Sequence, residues 1–114
     1  ILLVRSEGLG SINPTHRKYM TIARIPLEKQ VQDKPPYNAP WCFFDLATIM
    51  LFMNEIMCAI STLNAAAVKV KLKYDDVLTF RSTLRLIEKQ PVDGLNDVIE
   101  WADNQLDALS FNDL

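Results

Sequence analysis

The stretch PWCFFDLATIMLFMNEIMCAISTLNAAAV, from Pro40 to Val68, is the most apolar part of the 114-residue chain and decides its fold. Asp45 and Glu55 interrupt it and leave uncharged runs of nine and thirteen residues. A membrane-spanning helix needs about 20 mostly apolar residues, so we expect the core of a soluble protein instead. The alternative is that Glu55 lies inside a membrane and pairs with helices of a larger complex.

Apolar residues in this stretch recur at alternating steps of three and four, which is typical of a helix packed along another helix. They are Leu46, Ile49, Met53, Ile56, Ile60, Leu63 and Ala67. Because no glycine or proline occurs between Trp41 and Gln90, the pattern predicts one long central helix over residues 42–67. Other apolar residues lie off this seam, so the helix needs cover on several faces. We therefore predict self-association, as a homodimer or in a hetero-complex, through Met50, Phe52, Met53 and Met57.

The segment before the apolar stretch predicts a helix that begins at Asn13-Pro14. Asparagine caps free N–H groups, and proline at the first helical position leaves no N–H unpaired. The residues that share a face at helical spacing are Tyr19, Ile22 and Ala23. A strand is the alternative, because Tyr19, Thr21, Ala23 and Ile25 alternate with other residues. Pro26 is expected to interrupt this helix, with at most a short helical turn over residues 27–34.

The proline-rich segment KPPYNAP, residues 34–40, is expected to be a stiff connector in polyproline II geometry. A chain of 114 residues is long enough for one hydrophobic core and too short for two ordinary domains. We therefore predict a single domain, residues 1–114. It consists of an N-terminal segment with the linker, residues 1–40, and a helical core, residues 41–114.

The segment VKVKLKY, residues 68–74, has two interpretations. Valine, leucine and tyrosine alternate strictly with Lys69, Lys71 and Lys73, as in a half-buried edge strand. The three-four seam nevertheless continues through Val70 and Tyr74, and no other segment is a strong strand partner. We favour a helix or an extended link that ends the helix, and the strand remains the alternative.

Two further helices follow in the sequence. Asp75 or Asp76 is expected to cap a helix that runs to about Gln90. After a turn at Pro91–Gly94, a last helix has one apolar face, and residues 111–114 form a tail. The fold class predicted is all-α, a bundle of about four helices with the long apolar helix at its centre. The alternative is an α+β fold with short edge strands.

Charge is divided unevenly along the chain. Residues 1–90 carry twelve basic and eight acidic side chains, a net of +4. Residues 91–114 carry six acidic side chains and no basic one, so this segment accounts for the change to a total of −2. One interpretation is intramolecular, with Arg85 near Glu100 and Arg81 near Asp103 or Asp107 in an antiparallel helix pair.

The other interpretation of the charge pattern is that the last helix recognises a basic protein partner. Its candidate contact residues are Asp97, Glu100, Trp101, Asp103 and Asp107, with Trp101 at the edge of the apolar stripe as an anchor. A weaker alternative is nucleic-acid binding by a basic patch that includes Lys69, Lys71 and Lys73 as phosphate contacts. No recognition motif accompanies these lysines.

The sequence offers little for catalysis. His16 is the only histidine and is expected to be an exposed first-turn residue, and no Cys/His metal spacing exists. Cys42 and Cys58 are expected to be buried, inert free thiols, which fits a reducing, cytoplasmic location. We therefore predict a non-enzymatic interaction, regulatory or assembly protein with no cofactor, metal, small-molecule substrate or membrane partner. A nucleic-acid-binding protein is the alternative, and a small enzyme comes third.

Overall fold

The computed structural model describes residues 14–88 and 92–112, with side chains from 17 to 88 and from 92 to 110. Over these ranges the chain forms five α-helices and no strand. They are α1 (Pro14–Gln32), α2 (Trp41–Phe52), α3 (Ile56–Lys69), α4 (Tyr74–Arg85) and α5 (Leu95–Asn112). The prediction of an all-α bundle is confirmed, and the α+β alternative is wrong for the described residues. None of these helices is long and apolar enough to cross a membrane.

The long central helix of the sequence prediction is two helices, α2 and α3, separated by a sharp turn at Asn54. Asn54 has a φ of 64°, in the left-handed region that asparagine adopts more readily than other residues with a Cβ. The Glu55 N–H donates to the Met50 carbonyl at 2.8 Å, and the Asn54 N–H donates to the Leu51 carbonyl at 3.1 Å. This is the Schellman pattern that ends helices. The apolar residues at steps of three and four do line a packed helix face. The second half of that stretch folds back at Asn54, so that α3 packs on α2.

Helix α1 runs through Pro26, where the sequence predicted an interruption. A proline inside a helix removes one hydrogen bond, here to the Ile22 carbonyl, and usually bends or ends the helix. Both Ile22 and Pro26 are exposed to solvent, so water can reach the carbonyl that loses its partner. The described part of the chain is helical from Pro14 onward, and the proposed Asn13 cap lies outside the described residues.

The proline-rich linker is a compact turn rather than an extended polyproline II segment. The Tyr37 N–H donates to the Gln30 carbonyl of α1 at 3.1 Å, which ties the linker back to the helix before it. Asn38 takes a φ of 56°, and its carbonyl accepts from the Cys42 N–H in the first turn of α2. The linker therefore joins α1 to α2 closely, and α1 packs along α2.

The lysine segment between α3 and α4 is an extended link without a strand partner. Val70 and Lys73 have extended backbone angles, and Leu72 is buried while the lysines are exposed. The prediction of a link that ends the helix is confirmed.

Helix α4 begins at Tyr74, so neither Asp75 nor Asp76 is its cap; both lie in its first turn, where negative charge is favourable. It ends at Arg85, and residues 86–88 form a turn, so the prediction that it runs to about Gln90 is wrong.

The turn before α5 depends on Gly94, which has a φ of 80°. A Cβ atom at this position would lie 2.6 Å from Ile56 Cγ1 in α3, so glycine satisfies both the backbone angle and the close approach. Helix α5 continues to Asn112, which places Phe111 in the helix and not in the predicted tail. Pro91 lies outside the described residues.

Helix α2 provides the centre of the core. Most of its side chains are buried, because α1 and α3 pack along it and Phe44 contacts α4 and α5. The Phe44 ring stacks on Phe80 with centroids 4.4 Å apart, and Trp101 meets both rings edge-on at 6.4 Å. These aromatic contacts join three helices that are distant in sequence.

Candidate interaction surface

Helix α1 has apolar residues on two opposite sides. Its inner side contacts the core through Met20, which is 4% exposed, and through Leu27 and Val31, which are partly buried. The residues that the sequence placed on one helix face, Tyr19, Ile22 and Ala23, lie on the opposite side and are exposed. The sequence does contain a pattern that indicates the inner side. Met20, Leu27 and Val31 follow one another at steps of seven and four, which places them on a second apolar stripe.

The outer face of α1, defined here as Tyr19, Ile22, Ala23, Ile25 and Pro26, is an exposed apolar patch. Its three large side chains are 65%, 56% and 65% exposed for Tyr19, Ile22 and Ile25. All five lie within about three turns of one helix, so they form a continuous strip. Single exposed apolar residues are ordinary, but a contiguous strip of this kind is typical of a binding surface.

Basic residues accompany the outer face of α1. Lys18 and Lys29 are exposed and stand eleven residues apart, close to three helical turns, so they lie in line with Ile22 and Ile25, at the two ends of that row. Arg17 is exposed in the same helix. Among the described residues, none of these three side chains forms an ion pair with an acidic group. The strip therefore combines apolar contact area with positive charge that no ion pair engages within the described residues.

An ion pair between α1 and the α2–α3 turn holds the helix in place. Arg24 donates from Nη1 and Nη2 to the two carboxylate oxygens of Glu55, the second bond measuring 3.1 Å. The side chains are 18% and 34% exposed. Hydrogen bonding from Arg24 holds the pKa of Glu55 below its ordinary value, and the same bond raises the pKa of Arg24. Glu55 thus has a structural role, and Glu28 adds a second contact at 3.5 Å from Arg24 Nε.

The acidic residues of α5 divide between two roles. Arg81 Nε donates to Asp103 Oδ1 at 2.8 Å, so the predicted pairing of Arg81 with Asp103 is confirmed. Arg81 is only 12% exposed, and its Nη1 lies 4.0 Å from Glu88 Oε1. Within the described residues the predicted pair between Arg85 and Glu100 does not form.

The remaining carboxylates of α5 face solvent. Asp97, Glu100 and Asp107 are exposed, and no ion pair engages them within the described residues. Asp93 adds a fourth exposed acid in the turn before the helix. Long-range attraction of a basic partner by these groups stays a prediction.

Trp101, the predicted anchor for a partner, lies in the core. It is 8% exposed, and its Nε1–H donates to Asn64 Oδ1 of α3 at 3.0 Å. The indole packs edge-on against Phe44 and Phe80. Trp101 does lie at the edge of the apolar stripe of α5, as predicted, but α2, α3 and α4 of the same chain cover that edge.

The four residues assigned to self-association are separated by the fold. Phe52 and Met50 are buried within the single chain, with 1% and 7% of their surfaces exposed. Met53 is half-buried, with its sulfur 3.7 Å from Arg24 Nη1. Met57 is 79% exposed and lies in the first turn of α3. Only Met57 presents a large surface for another molecule in this conformation.

The three lysines of the link are exposed, and Lys71 and Lys73 line an open hollow of about 540 Å³ with Tyr74 and Gln105. Asp75 and Asp76 follow immediately in α4 and offset their charge. Arg81, the next basic residue along the chain, is engaged by Asp103. The phosphate-binding alternative therefore stays a prediction.

The two cysteines differ in environment, although both are free thiols. Cys42 is buried, and burial raises the pKa of its thiol, as expected for an inert cysteine. Cys58 is exposed, so the prediction that both are buried is wrong. The prediction of burial assumed one continuous helix. The break at Asn54 instead places Cys58 in α3, on the side that faces solvent. The side chain of His16 lies outside the described residues, and the described side chains contain no metal-binding cluster.

Comparison of the chain with protein-family models, with curated proteins and with solved structures gave no match.

Proposed function

We propose that this chain is a non-enzymatic protein-interaction module, of a regulatory or assembly kind and cytoplasmic, whose binding surface is the outer face of α1. The observation that carries the proposal is the contiguous exposure of Tyr19, Ile22 and Ile25 on a helix whose other side is fixed to the core. Arg24 and Glu55 anchor that helix, so the strip is presented on a rigid element. A preorganised apolar strip loses little conformational entropy when a partner covers it.

The partner proposed is an amphipathic helix with acidic residues beside its apolar stripe. Such a helix can lie along α1 with its apolar residues on Ile22 and Ile25, in the helix-on-helix mode. Lys18 and Lys29, at the two ends of the row formed by Ile22 and Ile25, would meet its carboxylates. These exposed pairs would contribute mainly to orientation and association rate, and the apolar contacts would supply most of the affinity.

The test uses a synthetic amphipathic helix of about 15–18 residues, long enough for four turns, with leucine on one face and glutamate on the other. Its charge-reversed version carries lysine in place of glutamate. Fluorescence anisotropy should detect binding of the acidic peptide and at least tenfold weaker binding of the basic one. Ile22→Ser with Ile25→Ser should abolish binding of the acidic peptide. The matched control is Thr79→Ser with Ser82→Ala, two exposed positions of α4, which should leave it unchanged.

Other occupants of the outer face give different results. If light scattering shows a dimer that Ile22→Ser dissociates, the face joins two copies of this chain, and the acidic-helix partner is wrong. If the peptide binds only after Leu2→Ser with Leu3→Ser, the chain's own N-terminal residues occupy the face. Equal binding of acidic and basic peptides would remove the electrostatic part of the proposal.

A second candidate surface is the acidic side of α5, where Asp97, Glu100 and Asp107 are exposed. A basic protein partner would be attracted there, and charge reversal at these positions should slow association while leaving the fold intact. Trp101→Ala would not test this surface, because the indole is part of the core. Kinetics of the charge-reversal variants at two salt concentrations would test this surface independently of α1.

A further inference from the structure

A groove between α2 and α4 has a chemical character distinct from the surfaces described above. It has a volume of about 270 Å³ and is lined mainly by apolar side chains. Trp41, Phe44 and Phe52 contribute from α2, Phe80 and Leu84 from α4, and Ile87 from the turn after α4. The space is somewhat smaller than a site for a drug-sized ligand, and fits one aromatic ring with a short substituent.

Three polar groups that line the groove can accept hydrogen bonds. They are the carboxylate of Asp45 and the hydroxyl groups of Thr48 and Thr83. The Thr48 hydroxyl donates its proton to the Phe44 carbonyl at 2.8 Å, and the Thr83 hydroxyl donates to the Thr79 carbonyl at 3.0 Å. Their oxygen lone pairs remain free to accept. The indole N–H of Trp41 is a donor among the described groups that line the groove.

Among the described residues that line this groove, Asp45 carries the one formal charge. Its carboxylate forms no ion pair with a described basic side chain. Partial burial raises the pKa of Asp45 above its ordinary value, because burial disfavours the ionised form. A cation placed beside the carboxylate would favour the ionised form.

We infer that this groove binds a small arylalkylammonium ligand, with the aromatic ring between α2 and α4 and the ammonium group at Asp45. An ammonium group offers three donors and a positive charge, which matches one carboxylate and two acceptor hydroxyls. The aromatic lining suits both an apolar ring and a cation close to it. This inference concerns a different face from the outer face of α1 and does not depend on the proposed function.

The test uses 2-phenylethylammonium and its neutral counterpart 2-phenylethanol, which has the same carbon skeleton. A ¹H–¹⁵N NMR titration of the full chain should give saturable shifts at residues of the groove, with a Kd of about 1–10 mM for a ligand of this size. The alcohol should bind about fivefold or more weakly, the effect of one partly exposed charge pair. The anion 3-phenylpropanoate should not bind.

Variants locate the effect. Asp45→Asn should weaken binding of the amine about fivefold without changing that of the alcohol. Asp107→Asn, an exposed carboxylate on α5, is the matched control and should change neither. Thr83→Leu should fill the mouth of the groove and block both ligands. Thermal melts of the free variants should match the wild type, because Asp45, Thr83 and Asp107 are all exposed.

Three results would overturn the inference. Equal affinity for amine and alcohol would mean that Asp45 does not select charge. Shifts spread over the whole surface, or insensitive to Thr83→Leu, would mean that the groove is not the site. Tighter binding of N-acetyl-lysine methylamide than of 2-phenylethylammonium, with the same dependence on Asp45, would identify the groove as a docking site for a lysine of a protein partner.

Discussion

Helices α1 and α2 are both apolar on more than one side, but the fold covers most of α2 and only one side of α1. Nine of the twelve residues of α2 are buried, because α1 and α3 pack along it and Phe44 reaches α4 and α5. Helix α1 packs mainly against α2 and leaves Tyr19, Ile22 and Ile25 in solvent. Apolar content alone therefore does not distinguish a core face from a binding face; the place of the helix in the bundle does.

The largest effect is expected when the covered helix loses its central aromatic side chain. Phe44→Ala removes the ring that stacks on Phe80 and touches Trp101, so unfolding free energy should fall by about 3–5 kcal/mol. Tyr19→Ala on α1 is the matched control, and the change should stay within about 0.5 kcal/mol. Chemical denaturation of both variants measures the difference. Comparable losses at the two positions would contradict the contrast between the helices.

A smaller effect is expected when the contact that fixes α1 to the bundle is broken. Arg24→Ala leaves Glu55 without its two hydrogen bonds and should cost about 1–3 kcal/mol. The outer face of α1 should then be presented less rigidly. Hydrogen exchange in α1 should increase more than in α2. Unchanged exchange in α1 would show that the apolar contacts of Met20 and Leu27 suffice to hold it.

The same ion pair should make stability depend on acid. The pKa of Glu55 is held below its ordinary value of 4.5 in the folded chain. The pair therefore stabilises the fold fully above pH 4.5, and this contribution is lost as the pH falls through the lower, folded pKa. Glu55→Gln should remove that part of the acid sensitivity, whereas Glu100→Gln, an exposed control, should not. Denaturation curves recorded between neutral and acid pH measure how the unfolding free energy of each variant depends on pH.

The turn that divides α2 from α3 should respond modestly to substitution. Asn54 has a left-handed backbone, which costs a β-branched residue about 1–2 kcal/mol and glycine nothing. Asn54→Val should therefore destabilise by about that amount, and Asn54→Gly should be neutral or slightly stabilising. A neutral Asn54→Val would indicate that residues 42–67 can form one continuous helix, and that the cover of α2 by α3 is not obligatory.

The sequence predicted the helical class and one ion pair well, for physical reasons. The three-four seam survives the break at Asn54, because a helix folded back on itself needs the same stripe as a helix packed on a neighbour. Arg81 meets Asp103 because α4 and α5 pack together with these two positions side by side. The break itself was not predictable from composition, since asparagine tolerates both helical and left-handed backbone and tertiary packing decides between them.

The candidate site was less predictable than the fold. Both sides of α1 carry apolar residues, so periodicity could identify the strip of Tyr19 and Ile22 but not whether it faces the core. Trp101 was placed at the edge of its stripe, and the sequence could not reveal that Asn64 and two aromatic rings would cover it. Which apolar face remains exposed depends on contacts between distant segments.

The most direct test compares Met20→Ala and Ile22→Ala, two apolar residues of one helix turn on opposite sides of α1. Unfolding free energy and affinity for the acidic amphipathic peptide are measured for each variant. We expect Met20→Ala, at a buried position, to lower the unfolding free energy by about 2 kcal/mol or more, and to leave peptide affinity unchanged where the chain is folded. Ile22→Ala should leave stability within about 0.5 kcal/mol and reduce peptide affinity at least fivefold. If Ile22→Ala instead destabilised the chain and left peptide affinity intact, the outer face of α1 would be a structural surface and not the binding site.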